Sequence, residues 1–144
     1  MDKWNKMAYE KYTTEVPLKN GAYEFVKKLH EKGIKLGIAS SNSRYLVESV
    51  TEVLGIRQYF DTIVTSCEAG AGKPAPDIYL LAAKNLGVQP ENCLVFEDIT
   101  MGIMAGKNAG MKVCAIEDAY SADTQADKKA LADYYINDYT DISF

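Results

Sequence analysis

A chain of 144 residues has the length of one domain, and 16 basic against 20 acidic side chains give a net charge of −4. That balance excludes the basic face of a nucleic-acid binder and a polybasic membrane patch. With 47% apolar and 25% charged residues, the composition is that of a globular domain able to bury a core, not of a disordered chain. Residues 1–12 read as a short helix with Trp4, Met7, Ala8 and Tyr12 near one face. They hold no apolar run followed by a small-residue cleavage site, so no secretory leader is expected. No stretch of the chain is apolar enough to span a bilayer. Residues 13–20, polar and with a proline, read as a linker.

The spacing of Ala22, Phe25, Val26 and Leu29 predicts a helix over 21–32, closed by Gly33. A short apolar strand follows at 34–39. A helix over 43–54 is expected to turn Leu46, Val47, Val50, Val53 and Leu54 inward and to end at Gly55. Strand 61–65 leads through a glycine-containing loop to a helix over 75–86, ended by Gly87. Strand 93–96, helix 99–109 before Gly110, strand 112–116, helix 123–131 and strand 134–136 complete the chain. Strands alternating with helices over short connections predict an α/β fold. It is a Rossmann-like, doubly wound parallel sheet with helices on both faces, its strands reading as unbroken apolar runs. The three cysteines, Cys67, Cys93 and Cys114, are odd in number and widely spaced, so neither a disulfide framework nor a zinc site is expected. The expected compartment is the cytoplasm.

Ligands of such a sheet bind beyond the carboxyl ends of its strands. The residues there are Ser40, Ser41, Asn42 and Ser43, then 66–73, then Glu97 and Asp98, then Glu117 and Asp118. Two adjacent carboxylates at a strand end are costly unless something positive sits beside them. A Mg²⁺ ion would answer that, although a solvated acidic loop or a helix N-cap would read the same way. Lys73, in G-K-P-A-P-D, precedes a helix N-terminus, where the dipole repels a cation. A phosphate bridging the two would resolve this, as would plain solvent exposure. Of the serine and asparagine cluster one member must cap the next helix, while the others can hold phosphate oxygens. The only histidine, His30, lies at the far end of the preceding helix, so no serine–histidine nucleophile is available.

In this order and spacing, GIASSNS, GKPAPDIY and VFEDITMGIMAGKNAGM resemble the motifs of the haloacid dehalogenase-like superfamily, in its phosphoglucomutase- and phosphatase-like branch with a small helical cap. The likeness runs from about Val16 to Ile136, and Ile99 replaces a serine common at its place. The resemblance implies that Ser40, with Ser41 and Asn42, binds the phosphoryl group, that Lys73 neutralises nucleophile and phosphate, and that Glu97 and Asp98 hold Mg²⁺. It further implies a small phosphorylated substrate.

The family opens with a strand ending in Asp-x-Asp, whose first Asp is the nucleophile and whose second is the general acid/base. No two aspartates are two apart in this sequence. The expectation is therefore a core incomplete at its N-terminus, with 1–16 a remnant of the cap and 17–144 the α/β core lacking its first strand. In the family that strand lies between those ending at Ser40 and Glu97. Either these two close up and pair, or another copy of the chain or a separate N-terminal piece fills the slot. Two functions are consistent with this. One is the C-terminal part of a phosphatase or phosphomutase; the other is an inactive module binding phosphate or a protein partner. A receiver-type signalling domain, which carries its phospho-accepting Asp at the end of a central strand, fits less well: the strand before Asp98 comes nearest to that pattern, and Glu97 precedes the Asp.

Overall fold

The structure, a computed structural model, describes residues 21–117, 125–137 and 139–142. The expected first helix, linker and cap remnant, and Asp118 of the rim, lie outside the described residues. Helix α1 spans Ala22–Glu31, and strand β1 spans Gly37–Ser40. Helix α2, Arg44–Val53, is followed by strand β2, Thr62–Thr65, and one short helix, α3, Ser66–Ala69. Helix α4 covers Asp77–Leu86, strand β3 Leu94–Glu97, helix α5 Thr100–Asn108 and strand β4 Lys112–Ile116. Helix α6, Gln125–Leu131, and strand β5, Tyr134–Ile136, follow.

Among the described residues all pairing is parallel, as a strand–helix alternation requires. Among the described residues the ladder divides in two, β1 with β2 and β3–β4–β5. The register sets Ser40 level with Thr65 and Glu97 level with Ala115. The strands ending at Ser40 and Glu97 do not pair with each other, so the ladder has not closed up. Among the described residues, side-chain packing joins the two halves beneath the strands. Val64 of β2, Val95 of β3 and Val113 of β4 share one cluster with Ile78, Ala82 and Ala83 of α4 and Ile103 of α5, with Ala39 of β1 against it. The neighbouring residues point the other way. Ile63 packs with Val47 and Val50 of α2, with Ile38 beside them. This alternation, at the period of a strand, places helices on both faces.

On the second face, Phe25 of α1 meets Phe96 of β3 edge-on, ring centroids 5.1 Å apart, and stacks on Tyr139 at 5.1 Å. Burying one such ring stabilises by about 1.5–3 kcal/mol. The helix enters this contact through Gly21, at φ 80°, where a Cβ would stand 2.9 Å from the methyl of Thr140. Glycine serves both demands there, the left-handed backbone and the close approach. The helix α5 lies equally close to its sheet. A Cβ on Gly106 would stand 2.6 Å from Val113 Cγ2. Gly106→Ala is therefore expected to destabilise the chain by about 1–3 kcal/mol, read as a lower urea midpoint at unchanged slope.

Three expectations need correction. Val53, expected inward, is 58% exposed, and Thr51 is buried on that helix beside Val47 and Val50. Its hydroxyl donates to the Val47 carbonyl at 2.8 Å, which lets a polar residue sit in the core. The first strand starts at Gly37 rather than 34, with Ile34 exposed. The loop after β2 opens with α3, whose capping box pairs Thr65 with Glu68. The pattern Thr-x-x-Glu was legible in the sequence.

Candidate active site

The carboxyl ends of β1, β2 and β3 and the loop leading into α4 meet at one rim. Lys73 reaches it from that loop, and its ammonium donates to Glu97 Oε2 at 2.8 Å and to the Ala39 carbonyl at 3.4 Å. It thus touches the ends of both ladders, next to Ser40 on one and at Glu97 on the other. The pair is dry: the side chains are 1% and 2% exposed. Glu97 accepts two further bonds, from the Tyr79 hydroxyl at 2.7 Å and from the Asp98 N–H at 3.2 Å. Burial raises the Glu97 carboxyl, but the Lys73 charge and the bonds from Lys73 and Tyr79 outweigh it and bring its pKa down from 4.5 to about 2.

This geometry changes the explanation of two sequence observations. The carboxylate pair 97–98 needs a positive partner, and Lys73 is that partner. Lys73 needs an anion beside it, and Glu97 is that anion. Neither residue alone then demands a ligand. Counted together, however, Lys73, Glu97 and Asp98 carry one positive and two negative charges at a buried rim, a sum that suits a cation.

Ser40 is fully buried at the end of β1, and its Oγ accepts from the Asn42 N–H at 3.0 Å. Ser41 is exposed and Asn42 half-buried on the turn that follows. Ser43 is the member that caps α2, accepting from the Leu46 N–H at 3.2 Å. His30 is exposed, its ring against Tyr59.

The loops after β1 and β2 are tied by a charged strut. Arg44 contacts both carboxylate oxygens of Glu68 at 2.9 Å, and Glu68 also accepts the Thr65 N–H at 2.9 Å. Arg44 further bonds Glu48 and the Ile63 carbonyl. This holds the loop carrying Lys73 against the strand carrying Ser40. The tie is half-exposed, so its strength lies in the network rather than in any one pair.

Mg²⁺ takes oxygen ligands, usually one or two carboxylates with waters and a substrate oxygen. Asp98 fits this chemistry, being 6% exposed and directly beyond the Lys73–Glu97 pair. Two residues on, Thr100 Oγ1 is buried with no hydrogen-bond partner among the described residues. Such an oxygen can hold a water of a hydrated cation. Glu97 fits as a ligand only by yielding a bond to Lys73, Tyr79 or Asp98. No cluster of three or more His, Cys, Asp or Glu with metal-binding geometry occurs among the described residues.

Two residues of this site escaped sequence reasoning. Tyr79 falls at a core spacing on α4, where its ring gives no hint that its hydroxyl meets a carboxylate. Gly102 lies under Glu97: a Cβ there would stand 2.0 Å from Glu97 Cδ. The repeated Gly102 and Gly106, four apart on α5, were the available signal of close approach.

A family model described as haloacid dehalogenase-like hydrolase matches residues 2–110. A bifunctional riboflavin kinase/FMN phosphatase of Arabidopsis thaliana is 38% identical over 146 residues, covering 99% of this chain and 38% of the relative. A validoxylamine A 7′-phosphate phosphatase of Streptomyces hygroscopicus subsp. limoneus is 32% identical over 123 residues, covering 85% of this chain and 56% of the relative. Among solved structures, CbbY from Rhodobacter sphaeroides in complex with xylulose-(1,5)bisphosphate superposes with a TM-score of 0.83 at 27% identity, over 94% of this chain and 60% of that one. The chain thus spans less than two thirds of the length of the proteins it matches.

Proposed function

This chain belongs to the haloacid dehalogenase-like hydrolases, and from that premise we propose that it is the C-terminal part of a Mg²⁺-dependent phosphatase or phosphomutase acting on a small phosphorylated metabolite. The observation that carries the reading is the buried Lys73 ammonium held between the ends of β1 and β3, with Ser40 beside it and Asp98 beyond. The relatives named above act on phosphate esters of small molecules, which supports the substrate class. We assign residues 1–16 to a remnant of the cap and 17–144 to the α/β core lacking its first strand.

In this reading Lys73 meets the phosphoryl oxygens with its charge. Ser40 Oγ already accepts the Asn42 N–H, so its own proton is left to donate to a phosphoryl oxygen. Ser41 and Asn42 add donors from the same turn. Asp98 is the primary metal ligand and Glu97 the second, at the cost of one of its present bonds. The ion, when bound, would neutralise phosphate charge and orient the ester. The sequence contains no Asp-x-Asp, so no covalent step is assigned to these residues; their part is to bind, orient and shield.

Lys73→Ala is expected to raise the Kd for inorganic phosphate at least about tenfold, the scale of a lost charge-assisted bond. Asp98→Ala is expected to remove Mg²⁺ binding. Calorimetry on protein shown folded by circular dichroism reads both, and parent-like binding by both variants overturns the site assignment.

A second reading, a phosphate- or partner-binding module without turnover, is favoured by the absence of Asp-x-Asp from the sequence. Assays on a panel of sugar phosphates, with and without a peptide carrying an Asp-x-Asp strand, separate the two. Turnover restored by the peptide supports the first, and none in either case supports the second. A second copy of the chain is the competing occupant of the β1 and β3 edges, and sedimentation would show it as a dimer. The compartment we assign is the cytoplasm. It is supported by three free cysteines, of which Cys114 is buried and pushed up to a pKa of about 11 by that burial.

A further inference from the structure

We propose that Tyr79 is a positioning residue that fixes the Lys73 ammonium through Glu97, an inference that rests on the phosphate-site reading above. Tyr79 lies in the first turn of α4 and is 8% exposed. Its hydroxyl donates to Glu97 Oε2 at 2.7 Å, the same oxygen that accepts from Lys73 at 2.8 Å. Its ring centre lies 5.2 Å from Lys73 Nζ. One side chain therefore touches both members of the ion pair, with its polar tip on the carboxylate and its ring against the ammonium.

The physical need for such a device follows from lysine itself. Its ammonium is a compact charge on a flexible four-carbon stem, without the fixed fork of a guanidinium. A lone carboxylate partner would locate it poorly, because the terminal torsion of Glu is broad and the carboxylate turns easily. In this site the Asp98 N–H holds Oε1 and the Tyr79 hydroxyl holds Oε2, so the plane of the carboxylate is set from both sides. The ring adds a cation–π contact that limits where the ammonium can sit. A phenylalanine would fill nearly the same space and keep the ring, but would release one side of the carboxylate. What is assigned to Tyr79 is therefore its hydroxyl, beyond the core packing any aromatic would supply.

The test uses the full chain, uniformly labelled with ¹⁵N, and reads the ammonium resonance of Lys73, assigned by its loss in Lys73→Gln. Tyr79→Phe is expected to keep the fold by circular dichroism, to shift and broaden that resonance, and to raise the Kd for inorganic phosphate about fivefold, the scale of one hydrogen bond. Replacing tyrosine throughout by 3-fluorotyrosine changes the phenol as a donor at nearly constant volume, and is expected to move the same resonance even if Tyr79→Phe folds poorly. An unmoved resonance in the fluorinated chain, or in folded Tyr79→Phe, overturns the proposal and leaves Tyr79 a core aromatic. The phosphate reading fails separately, if Lys73→Gln binds phosphate as the parent does; the resonance still decides the role of Tyr79.

Discussion

Glu97→Ala is expected to destabilise the chain by about 3–5 kcal/mol, the largest effect of any single truncation at the rim. The reason is asymmetry. The intact pair gains little net stability, because both ions have left water. Deleting one partner strands the other, and the Lys73 side chain is only 1% exposed. Replacing both, as Lys73→Met with Glu97→Leu, is expected to recover much of the loss, because no charge is then buried. The same pair sets an acid limb. Glu97 is held at about 2 in the folded chain against an ordinary 4.5, first against burial and then by the Lys73 charge. A depressed carboxylate contributes stability above its unfolded pKa and loses it as pH falls toward the folded one. Stability should therefore fall as pH drops from about 5 toward about 2. Urea titrations across that range check it, and Glu97→Gln should lack this part of the slope.

Gly102→Ala is the second large effect. The new Cβ would stand 2.0 Å from Glu97 Cδ, 2.1 Å from Oε2 and 2.2 Å from Cγ. Such contacts are far inside van der Waals range, so either α5 or the carboxylate must move. Glu97 cannot move cheaply, since Lys73, Tyr79 and the Asp98 N–H all hold it. Alanine in a helix returns about 1 kcal/mol of propensity, too little to offset the clash and the weakened ion pair. A net loss of about 3 kcal/mol is expected, with phosphate affinity falling alongside, measured by urea unfolding and calorimetry. At Gly106 the obstacle is a single valine methyl, and the loss in affinity should be absent.

Much of this was legible in the sequence because it depends on local pattern. The strands Lys112–Ile116 and Tyr134–Ile136 fall where apolar runs bounded by turn residues put them. Parallel pairing followed from alternation alone. Lys73 and the 97–98 acids stood out because each breaks a local electrostatic expectation, and they meet in space because parallel strands bring all their carboxyl ends to one rim. What was not legible depends on contacts between distant segments. Thr51 looks like a surface residue until its hydroxyl is seen to bond the helix backbone. The mutual neutralisation of Lys73 and Glu97, 24 residues apart, is invisible to spacing and was read instead as a demand for outside ligands. The role of Tyr79 requires knowing what lies opposite its hydroxyl, which no helical period records.

The shared cluster beneath the two ladders has one further consequence. Val64 belongs to the first ladder and Val95 and Val113 to the second, yet all three lean on Ile78 and its neighbours. Hydrogen bonding alone would let each half melt on its own. Peeling one half away from α4 would instead bare apolar surface on the other, so the two are thermodynamically yoked, and both ladders are expected to unfold as a single cooperative unit.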